Sequence, residues 1–159
     1  MVKPMNKQTY SFQYEPRNDL FHTLIDFAQR KCRFAWLVIR PTINLDGNGE
    51  QALQLLNQYL YQTVNAKEWP GTKLLTGTGR LHKYFFSLEF AKEIKSISNG
   101  LYDWIQPHLP EDICFMVDEN TPWLVSISHE RDGYLVLSEQ DVQEITSQIP
   151  ELISILEKT

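Results

Sequence analysis

The stretch "LPEDICFMVDENTPWLVSISHERDGYL", Leu109 to Leu135, decides how the rest of the chain is read. Three short apolar runs, Ile113 to Val117, Trp123 to His129 and Tyr134 to Leu137, are separated by Asp118-Glu119-Asn120 and Arg131-Asp132-Gly133. Polar turn residues between apolar runs, and Asp-Gly above all, mark hairpins. The segment therefore predicts a three-strand antiparallel meander. A meander at the end of a chain that also holds helices favours α+β over a doubly wound parallel sheet.

Working outward, Ser138-Glu139-Gln140-Asp141 resembles a capping box with Asp in place of the usual Glu or Gln. It opens a helix burying Val142, Ile145, Ile149, Leu152, Ile153 and Leu156, which Pro150 kinks or restarts. Upstream, Ser87 caps a helix that buries Leu88, Ala91, Ile94, Leu101, Trp104 and Ile105, with Asn99-Gly100 as an interruption. Lys73 to Phe86 reads as two strand pieces around Gly77 and Gly79, or as one strand with a glycine bulge. The spacing predicts a helix after the turn Leu45 to Glu50, burying Ala52, Leu53, Leu56, Tyr59, Leu60 and Val64 and stopped at "EWPGT". Cys32 to Arg40 is a buried strand ended by Pro41. Before it come a helix capped at Asn18 or Asp19 and a strand over Thr9 to Glu15. The expectation is one α+β domain over residues 9–159, with a mainly antiparallel sheet, about four helices and a flexible tail at 1–8.

The 159 residues are 42% hydrophobic and 12% aromatic, enough for a core without staples. Net charge is -5, which argues against a free-standing nucleic-acid partner. No apolar run reaches the length of a membrane span, and the N-terminus lacks the apolar segment of a secretion signal. Cys32 and Cys114 sit in apolar segments, the pattern of reduced thiols in a cytoplasmic protein.

Motif chemistry is sparse. "LDGNGE" starts like a calcium loop from Asp46, but Gln51 and Asn57 stand where that loop needs Gly and Glu. "GTGR" lacks the helix start of a dinucleotide loop. No metal spacing, nucleophile elbow or phosphate loop is present, so neither a metal nor a cofactor is expected from motifs. "SISHE" supplies the catalytic candidates His129 and Glu130. Strand alternation would put Trp123, Val125, Ile127 and His129 toward the core, and Leu124, Ser126, Ser128 and Glu130 on the other side. Arg80 and His82 are candidates for an anion site. Between Glu111 and Glu144 lie nine acids and a single base, Arg131.

"EWPGTKL", "LYDWIQPHLPED", "LPEDICF" and "PWLVSISHE" together resemble a group of bacterial proteins of this length. The resemblance covers about Phe12 to Leu137 and implies no catalytic residue. In size, acidity and lack of motif the chain also looks like the immunity proteins of bacterial toxin systems. The expected function is a non-catalytic cytoplasmic protein that binds another protein, a basic one, through the acidic meander. Glu111, Asp112, Glu130 and Asp132 would form its charged rim, and Trp69 or Trp123 its apolar anchor. The competing expectation is a small-molecule or enzyme site at the sheet edge near His129. A homodimer through an apolar strand edge fits both.

Overall fold

The computed structural model describes residues 6–159. An eight-stranded antiparallel sheet forms its centre. In chain order the elements are β1 (Lys7–Phe12), α1 (Asp19–Lys31), β2 (Phe34–Ile39), α2 (Gly47–Leu56), β3 (Leu60–Ala66), β4 (Glu68–Trp69) and β5 (Thr72–Lys73). They continue with β6 (Gly79–Phe85), α3 (Leu88–Ile97), β7 (Glu111–Asp118), β8 (Thr121–Ile127), β9 (Asp132–Ser138), α4 (Glu139–Gln148), α5 (Pro150–Ser154) and β10 (Leu156–Lys158). The strand order is β10-β1-β9-β8-β7-β2-β6-β3, and β4-β5 form a separate small hairpin. The fold is α+β, with the expected C-terminal meander as β7, β8 and β9. No helix among the described residues is long and apolar enough to cross a membrane.

Helices cover one face of the sheet and the small hairpin covers part of the other. Ala35, Leu37, Tyr84, Ile113, Phe115, Leu124, Leu135 and Leu137 join helix residues such as Phe21, Leu24, Phe90, Ile94 and Ile145 in the main core. On the other face Trp36, Val38, Leu81, Cys114, Met116 and Val125 pack with Trp69 of the small hairpin. Burial on both faces explains why β2 reads as an unbroken apolar run instead of an alternating one. Gly71 lets the hairpin lie this close. Its φ is +87°, and a Cβ there would come within 2.8 Å of Val125 and 3.0 Å of Ile127.

Local chemistry sets most of the boundaries. Ser138 accepts from the Asp141 amide while Asp141 accepts from the Ser138 amide, completing the capping box. Ser87 caps α3 through the Phe90 amide, and Asp46 caps α2 through the Gly49 amide. Pro150 restarts the last helix as α5 at a first-turn position.

Several expectations are corrected. The helix over residues 52–64 ends at Leu56, and Leu60–Ala66 is a strand paired with β6. Aromatic and β-branched residues there (Tyr61, Thr63, Val64) gain more as a pleated neighbour of β6 than on a helix face. The third helix stops at Ile97, before Asn99-Gly100. The chain adds a short final strand, β10, against β1. Of the flexible tail expected at 1–8, residues 1–5 lie outside the described residues, whereas Lys7 and Gln8 pair with Ser138 and Leu137. In β8, Trp123 and Leu124 both enter the main core and Val125 turns to the opposite face. Register shifts between β7 and β8 near Met116 break the simple alternation.

Phe115 is fully buried, with its ring 4.6 Å from that of Phe86, whereas Leu75 is fully exposed. Phe115→Ala is expected to cost about 3–5 kcal/mol of unfolding free energy, and Leu75→Ala less than about 0.5 kcal/mol. Urea denaturation of the two variants checks the contrast.

Candidate functional site

Ionisable groups far apart in sequence meet at one end of β7. The cause is a bulge. Between the paired positions Trp36↔Cys114 and Val38↔Glu111, β2 advances two residues and β7 advances three. Asp112 occupies the extra position with φ +57°, a left-handed conformation that Asp tolerates better than most residues. Its amide leaves the ladder and donates to the Trp104 carbonyl at 3.2 Å. The bulge turns its side chain into the protein, where the residue is 1% exposed.

A buried carboxylate needs hydrogen bonds and positive charge. Asp112 Oδ1 accepts from the Ser128 amide at 2.9 Å, and Oδ2 accepts from the Trp69 indole at 3.1 Å. Arg40, just past the end of β2, brings Nη2 to 3.8 Å from Asp112 Oδ2 and Nε to 3.0 Å from Glu111 Oε2. Its guanidinium also lies over the Trp69 ring, 5.4 Å from the centroid. Burial raises the Glu111 pKa above its ordinary 4.5; Arg40 opposes the rise and Asp112 adds to it.

His129 completes the group from the third side. Ser128–Glu130 form a single 3₁₀ turn between β8 and β9, closed by left-handed Arg131. This corrects the expectation that His129 continues the strand and diverges from Glu130: its Nε2 lies 3.8 Å from Glu130 Oε1. Glu111, Asp112 and His129 each present an atom within 4.8 Å of the others. Spacing motifs missed this cluster because its residues come from the start of β7 and from the β8–β9 turn and not from one helix. Arg40 already supplies the cation that the two carboxylates need.

Beside this cluster lies an open cleft of about 470 Å³ lined by Arg40, Thr72, Lys73, Leu75, His129 and Glu130, among others. Six buried side-chain atoms have no aligned hydrogen-bond partner among the described residues: Arg40 Nε, Arg40 Nη2 and Thr72 Oγ1 on residues that line this cleft, Ser128 Oγ next to His129 in the chain, and Trp36 Nε1 and His82 Nδ1 elsewhere. The Arg40–Glu111 contact is thus an ion pair without hydrogen-bond alignment. Orphaned buried polar atoms are rare in folded proteins, and three of these six belong to two residues of one cleft, Arg40 and Thr72.

The remaining candidates fall elsewhere. Glu111, Asp112, Trp69 and Trp123 are all buried, which removes them from a surface rim or an exposed anchor. Glu130 and Asp132 are exposed. Five of the nine acids in the C-terminal run pair with Arg40, Lys83 or Lys31, so the run does not form one free anionic face. Arg80 and His82 line a second, smaller cleft that Arg40 also borders. There Arg80 donates to Asn65 and Thr63, and burial together with Arg80 lowers the His82 pKa. Arg40 is the residue that sequence reading missed. Its signal was a lone base ending an apolar strand, with an acid pair heading another.

Comparisons with known protein families, with curated proteins and with solved structures find no match.

Two outcomes are expected. Asp112→Ala removes the acceptor of two buried donors and one partner of Arg40, at a cost of about 3–5 kcal/mol. Asp112→Asn, which keeps an acceptor and tolerates the left-handed backbone, costs less. Chemical denaturation followed by tryptophan emission separates them. The second concerns pH. Because the folded pKa of Glu111 is raised, its contribution to stability is complete below 4.5 and is lost as pH rises through the folded value. The urea midpoint of Glu111→Gln relative to that of the parent chain should therefore rise as pH increases through that window.

Proposed function

We propose that the chain is a ligand-binding protein whose site is the cleft between the small hairpin and the His129 turn, with a small polar molecule as its ligand. The observation that carries this reading is that three buried polar atoms without a hydrogen-bond partner, Arg40 Nε, Arg40 Nη2 and Thr72 Oγ1, belong to residues lining a cleft beside the Glu111–Asp112–His129 cluster. Pockets with a few convergent polar groups and perturbed carboxyls are the usual form of such sites. His129, partly exposed at the rim, would act as the base and Glu111 as a carboxyl kept protonated to higher pH, which equips the cleft for proton transfer. The two unpaired, buried thiols accord with a cytoplasmic setting.

Thermal-shift titration against a panel of polar metabolites tests the reading. A ligand should raise the melting temperature of the parent chain, and His129→Ala should weaken that shift without lowering the unliganded melting temperature. No shift across the panel, or an undiminished shift in His129→Ala, would count against it.

A second reading, a protein partner, draws on the rim. Glu130 is exposed beside fully exposed Leu75, and Asp132 follows two residues on. A partner captured at low salt, released as salt rises and lost with Glu130→Lys/Asp132→Lys, would favour it.

A further inference from the structure

The two borders of the cleft carry opposite charge. On the hairpin side Lys67 and Lys73 stand against one acid, Glu68, and Lys73 lines the cleft. On the side of the His129 turn, Glu111, Asp112 and Glu130 stand against one permanent cation, Arg40. Arg131, next in the chain, is taken up by Glu15 at 3.0 Å.

The opposite charges do not cancel across the gap. Lys73 is exposed and makes neither an ion pair nor a side-chain hydrogen bond among the described residues, although Glu68 faces it in the hairpin register. Glu130 is exposed as well, and its charge meets only His129, at 3.8 Å. Leu74, Leu75 and Ile127 give the same cleft an apolar part, and the Leu75 side chain is wholly uncovered.

This lining discriminates by charge. A simple anion placed there would meet Glu130 and the two acids behind it, and a simple cation would meet Lys73 and Arg40. A molecule with one charge of each sign can satisfy both borders. At about 470 Å³ the cleft is of small-molecule size. We infer that the cleft takes a small aliphatic zwitterion of the α-amino-acid class, with its carboxylate toward Lys73 and Arg40, its ammonium toward Glu130 and its side chain against Leu74, Leu75 and Ile127. The inference rests on the reading of the cleft as a small-molecule site and adds the charge and shape of the molecule. Arg40 suits the carboxylate end because a guanidinium only donates. Glu111 and the Trp69 ring already hold that guanidinium, so little side-chain freedom is left to lose on binding.

Titration of the full chain with probes that share one isobutyl group tests the inference. The probes are L-leucine, 4-methylpentanoate, which lacks the ammonium, and 3-methylbutylamine, which lacks the carboxylate. Amide NMR shifts over residues 72–76 and 127–131 report occupancy of the cleft. L-leucine should bind at least about tenfold more tightly than either analogue. Lys73→Gln should reduce its advantage over 3-methylbutylamine, and Glu130→Gln its advantage over 4-methylpentanoate. Both positions are exposed, so both variants should keep the melting temperature of the parent chain. An analogue that binds as tightly as L-leucine overturns the inference and leaves the cleft as a site for a singly charged ligand. L-leucine affinity indifferent to both substitutions, shifts confined to other residues, or no shift with any probe overturns it too. The metabolite panel and His129→Ala then decide the reading of the cleft on their own.

Discussion

A carboxylate cut off from water is tolerated only where the surrounding fold meets its hydrogen-bonding needs, and Asp112 sets that condition for this molecule. Its two oxygens hold the Trp69 indole and the Ser128 amide, so one side chain ties the small hairpin and the β8–β9 turn to the start of β7. The backbone pays for this with a bulge and a left-handed residue. Arg40 answers the charge from the neighbouring strand. One acid thus fastens to the sheet the two segments that border the cleft, the small hairpin and the β8–β9 turn.

The second determinant is the two-sided burial of the sheet. Helices cover one face, while a hairpin of two-residue strands covers part of the other. Trp69 does much of that covering, with its ring over the open face and its nitrogen on Asp112. Apolar packing and polar anchoring thus converge on a single side chain. The hairpin is small, and its position depends on both.

Elements whose ends carry their own chemistry were legible in the sequence. The capping box at Ser138, the cap at Ser87, the restart at Pro150 and the turns of the meander each act within a few residues. β3 was not legible, because its apolar residues and those just before it, at 56, 59, 60 and 64, also satisfy a helical period and only pairing with β6 decides between the two. The site was legible in part. His129 stood out by type, but its companionship with Glu130 follows from a 3₁₀ turn that strand alternation hides. Glu111 and Asp112 read as surface charges because acids at a strand start usually are. Their burial follows from a register shift against β2, and no local pattern encodes it. Arg40 stands far from both acids along the chain, with α2, the small hairpin and α3 in between, and so escapes any short window.

Cys32 and Cys114 are both buried, but in different places. Cys32 belongs to the helix-covered core and Cys114 to the cluster under the hairpin. Burial pushes both thiols well above their ordinary range and suppresses the reactive thiolate. Each sulfur is therefore a silent reporter of one layer. A thiol reagent reaches Cys114 when the hairpin lifts and Cys32 when the helices part, so labelling followed residue by residue gives the opening rate of each face of the sheet separately.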